Sequence, residues 1–121
     1  MRIAVAEKSA YELYLSRNIK HAKLILTKGI DASYNAFVND RLEVLSGLRP
    51  RLLTDVQKLP GARILDGQFT AVQQAVGTPK ARQTGATYLR GFVEEAKASG
   101  FVAAAIAKNG VQGVTVAPPA P

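Results

Sequence analysis

Two short segments carry side chains suited to gripping an anion. Lys8-Ser9-Ala10 lies where an extended run, Arg2–Ala6, gives way to helical spacing. At such a turn the Ser9 hydroxyl and the amides of Ser9 and Ala10 would suit a carboxylate or phosphate. The helix dipole favours negative charge there, and Lys8 would add a cation. Ser9 with Glu12 three residues later is equally a capping box, in which both side chains serve the helix's own orphan amides. The second segment is Ser46-Gly47-Leu48-Arg49-Pro50, again a strand end followed by a helix start. Arg49 supplies the planar fork that binds a carboxylate through two hydrogen bonds. The alternative is a surface arginine paired with Glu43 or Asp55.

Other chemistry is thinly supplied. Gln73 and Gln74 alternate along an extended run, so they face opposite sides and read as edge-strand polar groups or ligand contacts. His21 is the sole histidine and cysteine is absent, so multi-histidine and thiolate metal sites, disulfides and a thiolate nucleophile are excluded. There is no Gly-x-Ser-x-Gly elbow, glycine-rich phosphate loop or metal-spaced cluster. The expectation is a protein that is not an enzyme, with no cofactor and no metal.

The chain of 121 residues carries sixteen Lys and Arg against nine Asp and Glu, a net charge of +7. That excess raises nucleic acid, anionic membrane or an anionic ligand as partners. The basic residues are scattered, however, and no helix-turn-helix is convincing. Tyr11, Tyr14, Phe37, Phe69, Tyr88, Phe92 and Phe101 fall at core-like positions rather than among basic residues. No nucleic-acid partner is expected. No apolar stretch approaches the roughly 20 residues of a membrane span, and no secretory signal follows Met1, which reads as native or as an expression start.

The elements that must position these groups follow from periodicity and punctuation. Strands are expected at 2–6, 22–27, 42–46, 62–65, 68–76 and 114–116. Helices are expected at 9–18, 31–39 (capped by Asp31), 51–59 (opened by Pro50), 78–99 and 101–108. On the first helix Ala10, Leu13, Tyr14 and Arg17 share a face, with Tyr11 and Leu15 beside them. On the long one Ala81, Tyr88, Leu89, Phe92, Val93 and Ala96 point inward, and Gly85 and Gly91 admit a close helix contact. Alternation of strand and helix predicts an α/β fold with a mostly parallel central sheet covered on both faces. It divides into an α/β lobe at 1–77, a helical segment at 78–113, and a short strand with a Pro-rich tail at 114–121.

The string Arg2-Ile3-Ala4-Val5-Ala6-Glu7-Lys8-Ser9-Ala10-Tyr11 resembles the opening of the second lobe in the family 3 extracellular solute-binding proteins. These are the substrate-binding components of polar amino-acid ABC importers. In that family a hinge strand ends in a Gly-Ser or Gly-Thr pair that opens a helix, and here Lys8 stands in place of the glycine. Residues 36–45 look like the stretch usually written Gly-Arg-Val-Asp-Ala followed by an apolar strand. Residues 69–76 look like the return to the hinge, and 88–100 with the next helix look like the C-terminal helical part.

The resemblance implies one lobe of a type II periplasmic-binding-protein-like fold with C-terminal helices. Its function would be to bind a small polar solute, amino acid-like or anionic, without catalysis. Lys8, Ser9, Ala10, Gly47 and Arg49 would contact the ligand. The implied partners are an ABC transporter permease and a first lobe missing from this chain, and the full-length protein would be periplasmic. An acidic residue normally follows the third strand and pairs with the ligand ammonium. Its place here falls to Leu48, so an anionic or less charged solute suits the chain at least as well as an ordinary amino acid. The effector-sensing domain of a LysR-type transcription regulator shares this lobe architecture and is the alternative, and a small α/β enzyme is a third reading. A lobe without its partner is expected to cover its exposed surface as a homodimer.

Overall fold

Arg2–Ala6, all small or branched beyond the first residue, forms strand β1, whose last four residues are buried. Burial on both faces marks it as a central strand. It pairs in parallel with β2 (Lys23–Thr27) on one side and β3 (Val44–Leu45) on the other, giving the order β2-β1-β3. The computed structural model describes residues 1–121, and they form two compact units, Met1–Val72 and Gln73–Pro121.

In the first unit, helix α1 (Ala10–Asn18) links β1 to β2, and α2 (Ile30–Asn39) links β2 to β3. The two crossovers run in opposite directions across the sheet, so the right-handed rule puts the helices on opposite faces. Tyr11 and Leu15 of α1, one turn apart, pack on Ile3 and Val5 to make the core, with Ile19, Ala22, Leu24 and Val44 at its margin. Each fully buried side chain of this kind stabilises by about 1.5–3 kcal/mol. The inward face of α1 is therefore the Tyr11–Leu15 stripe; the face shared by Ala10, Leu13, Tyr14 and Arg17 is exposed. Ala4 is fully buried and faces the other side of the pleat, where its small side chain lets α2 settle across the sheet. Helix α3 (Arg49–Val56) follows β3, with Pro50 in its first turn.

Several expected elements differ. Asp31 does not cap α2: the cap is Gly29 at φ +93, and Asp31 lies in the first turn. Strand β3 is shorter than 42–46, because its only ladder partner is β1. Residues 62–65 and 68–76 form no strand, nor do 114–116. Alternation favours an extended backbone, but a strand also needs a neighbour to bond, and none accompanies these segments. Gln73 and Gln74 are accordingly exposed coil residues rather than members of a sheet edge.

In the second unit, α4 (Gln83–Ala98) begins later than residue 78. Thr78-Pro79 opens a turn closed by Arg82 N–H to the Pro79 carbonyl at 3.0 Å. Helix α5 (Phe101–Lys108) follows Gly100, which is left-handed at φ +78. The two helices pack together, yet neither buries a residue fully. Of the expected inward set, Leu89, Val93 and Ala96 are half-buried, while Ala81 is exposed and Tyr88 and Phe92 are 72% and 56% exposed. A two-helix layer has only one shared face, too little to enclose both stripes. Gly91 faces open space, so the expected close contact does not occur there. The tail folds back on α4, where Lys97 Nζ donates to the Pro118 carbonyl at 2.9 Å and Ala120 N–H donates to Glu94 Oε2 at 3.2 Å. No helix is long and apolar enough to cross a membrane.

Candidate functional site

Parallel strands leave all their carboxyl ends on one edge, and a strand order of 2-1-3 sends the chain away from β1 in opposite directions. The crevice of such a sheet lies outside the carboxyl ends of the two strands where the direction reverses, here β1 and β3. Lys8, Ser9 and Ala10 follow β1; Gly47 and Arg49 follow β3. The topology therefore places both segments on the same edge, after neighbouring strands. The ladder itself ties them, since Ser46 N–H donates to the Ala4 carbonyl at 2.9 Å.

The side chains differ in what they offer. Ser9 caps α1, its oxygen accepting the Glu12 amide at 3.1 Å, and its hydroxyl donates to the Ala6 carbonyl at 2.7 Å. Its proton goes to the end of β1, and the first-turn amides of α1 are the donors it leaves open to a ligand. Ala10 opens the helix and is exposed, with its amide lacking an intrahelical partner. Lys8 is exposed and left-handed at φ +60, a conformation that favours glycine.

Arg49 is the first residue of α3. It pairs with neither carboxylate named as its surface alternative. Glu43 is held by Arg2 at 2.7 Å, and Asp55 by Arg51 at 2.9 Å. Arg49 instead donates through Nη2 to the carbonyl of Gly67, in a turn whose φ is +74. Two residues on, the Phe69 ring lies 5.6 Å from that of Tyr14 on α1, tilted by 39°.

Gly47 lines a cavity of about 30 Å³ bounded by Ser33 of α2, Ser46, and Arg51 and Asp55 of α3. A close backbone approach does not require the glycine, because a Cβ there would meet Leu52 at ordinary contact distance, 3.4 Å. Of the polar residues around this cavity, the sequence named Ser46 and Asp55 but not Ser33, nor the burial of Asp55 and its pairing with Arg51. Asp55 is buried with both oxygens on Arg51 Nε at 2.9 Å, and Arg51 also reaches Asp31 at 2.8 Å. The Arg51–Asp55 spacing of four was the one available signal. Ser33 is satisfied by Thr27 and the Gly29 carbonyl, at 2.5 and 3.1 Å. Ser46 is only 7% exposed and its hydroxyl has no partner.

In the second unit a groove of about 270 Å³ lies between α4 and α5. Phe92, Ala96 and Phe101 make it largely apolar, with Glu95 and Ser99 its polar residues. His21 is exposed between α1 and β2. Of the seven aromatics expected in core positions, only Tyr11 is fully buried. No group of acidic, histidine or cysteine residues is placed to hold a metal ion. The chain matches no protein-family model, no curated protein and no solved structure.

Proposed function

We propose that the chain binds a small carboxylate-bearing solute at the carboxyl edge of its sheet and does not transform it. The observation carrying this reading is Arg49, a guanidinium at the strand-order reversal that holds a neutral carbonyl and no carboxylate. A ligand carboxylate offers it a stronger, charge-assisted and two-point bond. The first-turn amides of α1, after the neighbouring strand, and exposed Lys8 add to the same anionic preference.

Within that class, the reading is narrower: a second lobe of a family 3 solute-binding protein, serving an ABC importer. Two features support it. The sheet is parallel with the chain reversing at β1, and Lys8, in the place where the family carries glycine, has the backbone conformation glycine favours. A first lobe closing over the solute and a membrane permease are the partners this reading supplies, and the periplasm is its compartment. Titration calorimetry with a panel of L-amino acids, succinate and acetate tests the binding. Saturable heat with at least one carboxylate, and no chemical change in the recovered compound, is expected. Absence of heat across the panel, or turnover of a member, overturns the reading.

A further inference from the structure

The segment from Asp66 to Phe69 touches the two helices that follow β1 and β3, α1 at Tyr14 and α3 at Arg49. Its Gly67 carbonyl occupies the Arg49 guanidinium, and its Phe69 ring lies on Tyr14 of α1. Little else holds it. No backbone amide after Ala62 and as far as Val72 donates to another backbone carbonyl, and the segment belongs to no strand. Tyr14 and Phe69 remain 39% and 46% exposed, so their contact is peripheral. Two side-chain attachments, one polar and one aromatic, therefore fix a stretch that the ladder does not.

We propose that residues 66–69 form a displaceable strap that fills the site as an internal stand-in for its ligand. The ligand that replaces it is a carboxylate bearing an aromatic ring. This deepens the solute reading and rests on it. The strap presents an oxygen to Arg49 and a flat ring to Tyr14. Two residues of chain join Gly67 to Phe69, so their Cα atoms lie at most roughly 7 Å apart when extended, and the ring extends beyond its Cα. A solute that reproduces both contacts needs an acceptor and a ring at comparable separation. It wins at Arg49 because a carboxylate accepts from a guanidinium through two charge-assisted bonds where a peptide carbonyl accepts one. It breaks even at Tyr14, where ring replaces ring. A carboxylate without a ring gains only the first contact and leaves Phe69 in place.

The test uses 3-phenylpropanoate as probe, with acetate lacking the ring and 3-phenylpropanamide lacking the charge. In the free protein, proton NMR is expected to show cross-relaxation between the Tyr14 and Phe69 rings. Adding 3-phenylpropanoate abolishes it and shifts the Arg49 side-chain resonances, while acetate shifts Arg49 alone and the amide does neither. Phe69→Ala, at a position 46% exposed, removes the competing ring while leaving the Gly67 carbonyl, and is expected to bind 3-phenylpropanoate about tenfold more tightly than wild type. Tyr14→Ala removes the preference for 3-phenylpropanoate over acetate. If both carboxylates shift Arg49 equally with the ring contact intact, or Phe69→Ala leaves affinity unchanged, the strap is refuted and the solute reading stands. If no carboxylate shifts Arg49 in either protein, the solute reading falls and takes the strap with it.

Discussion

The two edges of the sheet treat their arginines differently. At the amino edge Arg2 spends its guanidinium on Glu43 at 2.7 Å and on the Arg41 carbonyl at 2.8 Å, closing β1 against the segment that leads into β3. At the carboxyl edge Arg49 holds only the Gly67 carbonyl, and the Ser46 hydroxyl holds nothing. An arginine matched to a carboxylate of its own chain has its charge answered and serves the fold. One resting on a neutral acceptor keeps that charge available for a ligand. The contrast teaches that type and exposure alone do not single out Arg49 as the candidate; the neutral partner it holds does.

Arg51 is the exception within the carboxyl edge, since it is matched twice, to Asp55 and Asp31. Removing it should therefore behave as a structural loss and give the largest effect. Arg51→Ala leaves the Asp55 carboxylate buried without its partner, and a loss of about 3 kcal/mol in unfolding free energy is expected by urea titration. A change below ~1 kcal/mol would show that Asp55 is served from elsewhere and that this edge has no structural part.

Ser46→Ala sharpens the comparison from the other side. A buried hydroxyl without a partner costs stability, so its deletion is expected to be neutral or to stabilise by up to about 1 kcal/mol. A destabilisation of that size would instead show the hydroxyl satisfied, by a water in the adjoining cavity of about 30 Å³.

The smallest effect belongs to the amino edge and appears with pH. Hydrogen bonding from Arg2 lowers the Glu43 carboxyl to about 2. A depressed carboxyl stabilises the fold fully above its ordinary value near ~4.3 and loses that contribution as pH falls toward the folded one. Between those limits wild type should lose stability relative to Glu43→Gln, and the two should run parallel above about pH 5. The pair is solvent-exposed, so the difference is modest. Identical urea midpoints for both proteins throughout this range would mean that the Arg2–Glu43 pair contributes nothing.

What could be read from the sequence was what is decided locally. Ser9 and Glu12 announced α1, and the cap they implied is present on the serine side. Gly100 and Asn109-Gly110 bracketed α5, whose bounds match. The placing of Ser9 and Arg49 on one edge followed from strand–helix alternation, a chain-wide pattern built of local ones. Pairing between distant segments was not legible. Residues 68–76 alternate as a strand does, but only a neighbouring edge makes alternation into a sheet, and nothing local reveals its absence. Arg2 and Glu43 lie forty-one positions apart, Arg49 and Gly67 eighteen. No short-range rule ties either pair together. Asp55 illustrates a third case: its spacing from Arg51 was visible, its burial was not.

Calorimetric titration of the carboxylate panel into wild type, Arg49→Ala and Arg63→Ala compares the candidate binding arginine with an exposed one outside the site. Arg49→Ala is expected to weaken the bound carboxylate tenfold to a hundredfold, about 1.5–3 kcal/mol. Arg63→Ala is expected to leave its affinity unchanged, and all three proteins should unfold at similar urea concentrations. Equal affinities in the two variants would contradict a carboxylate site at Arg49.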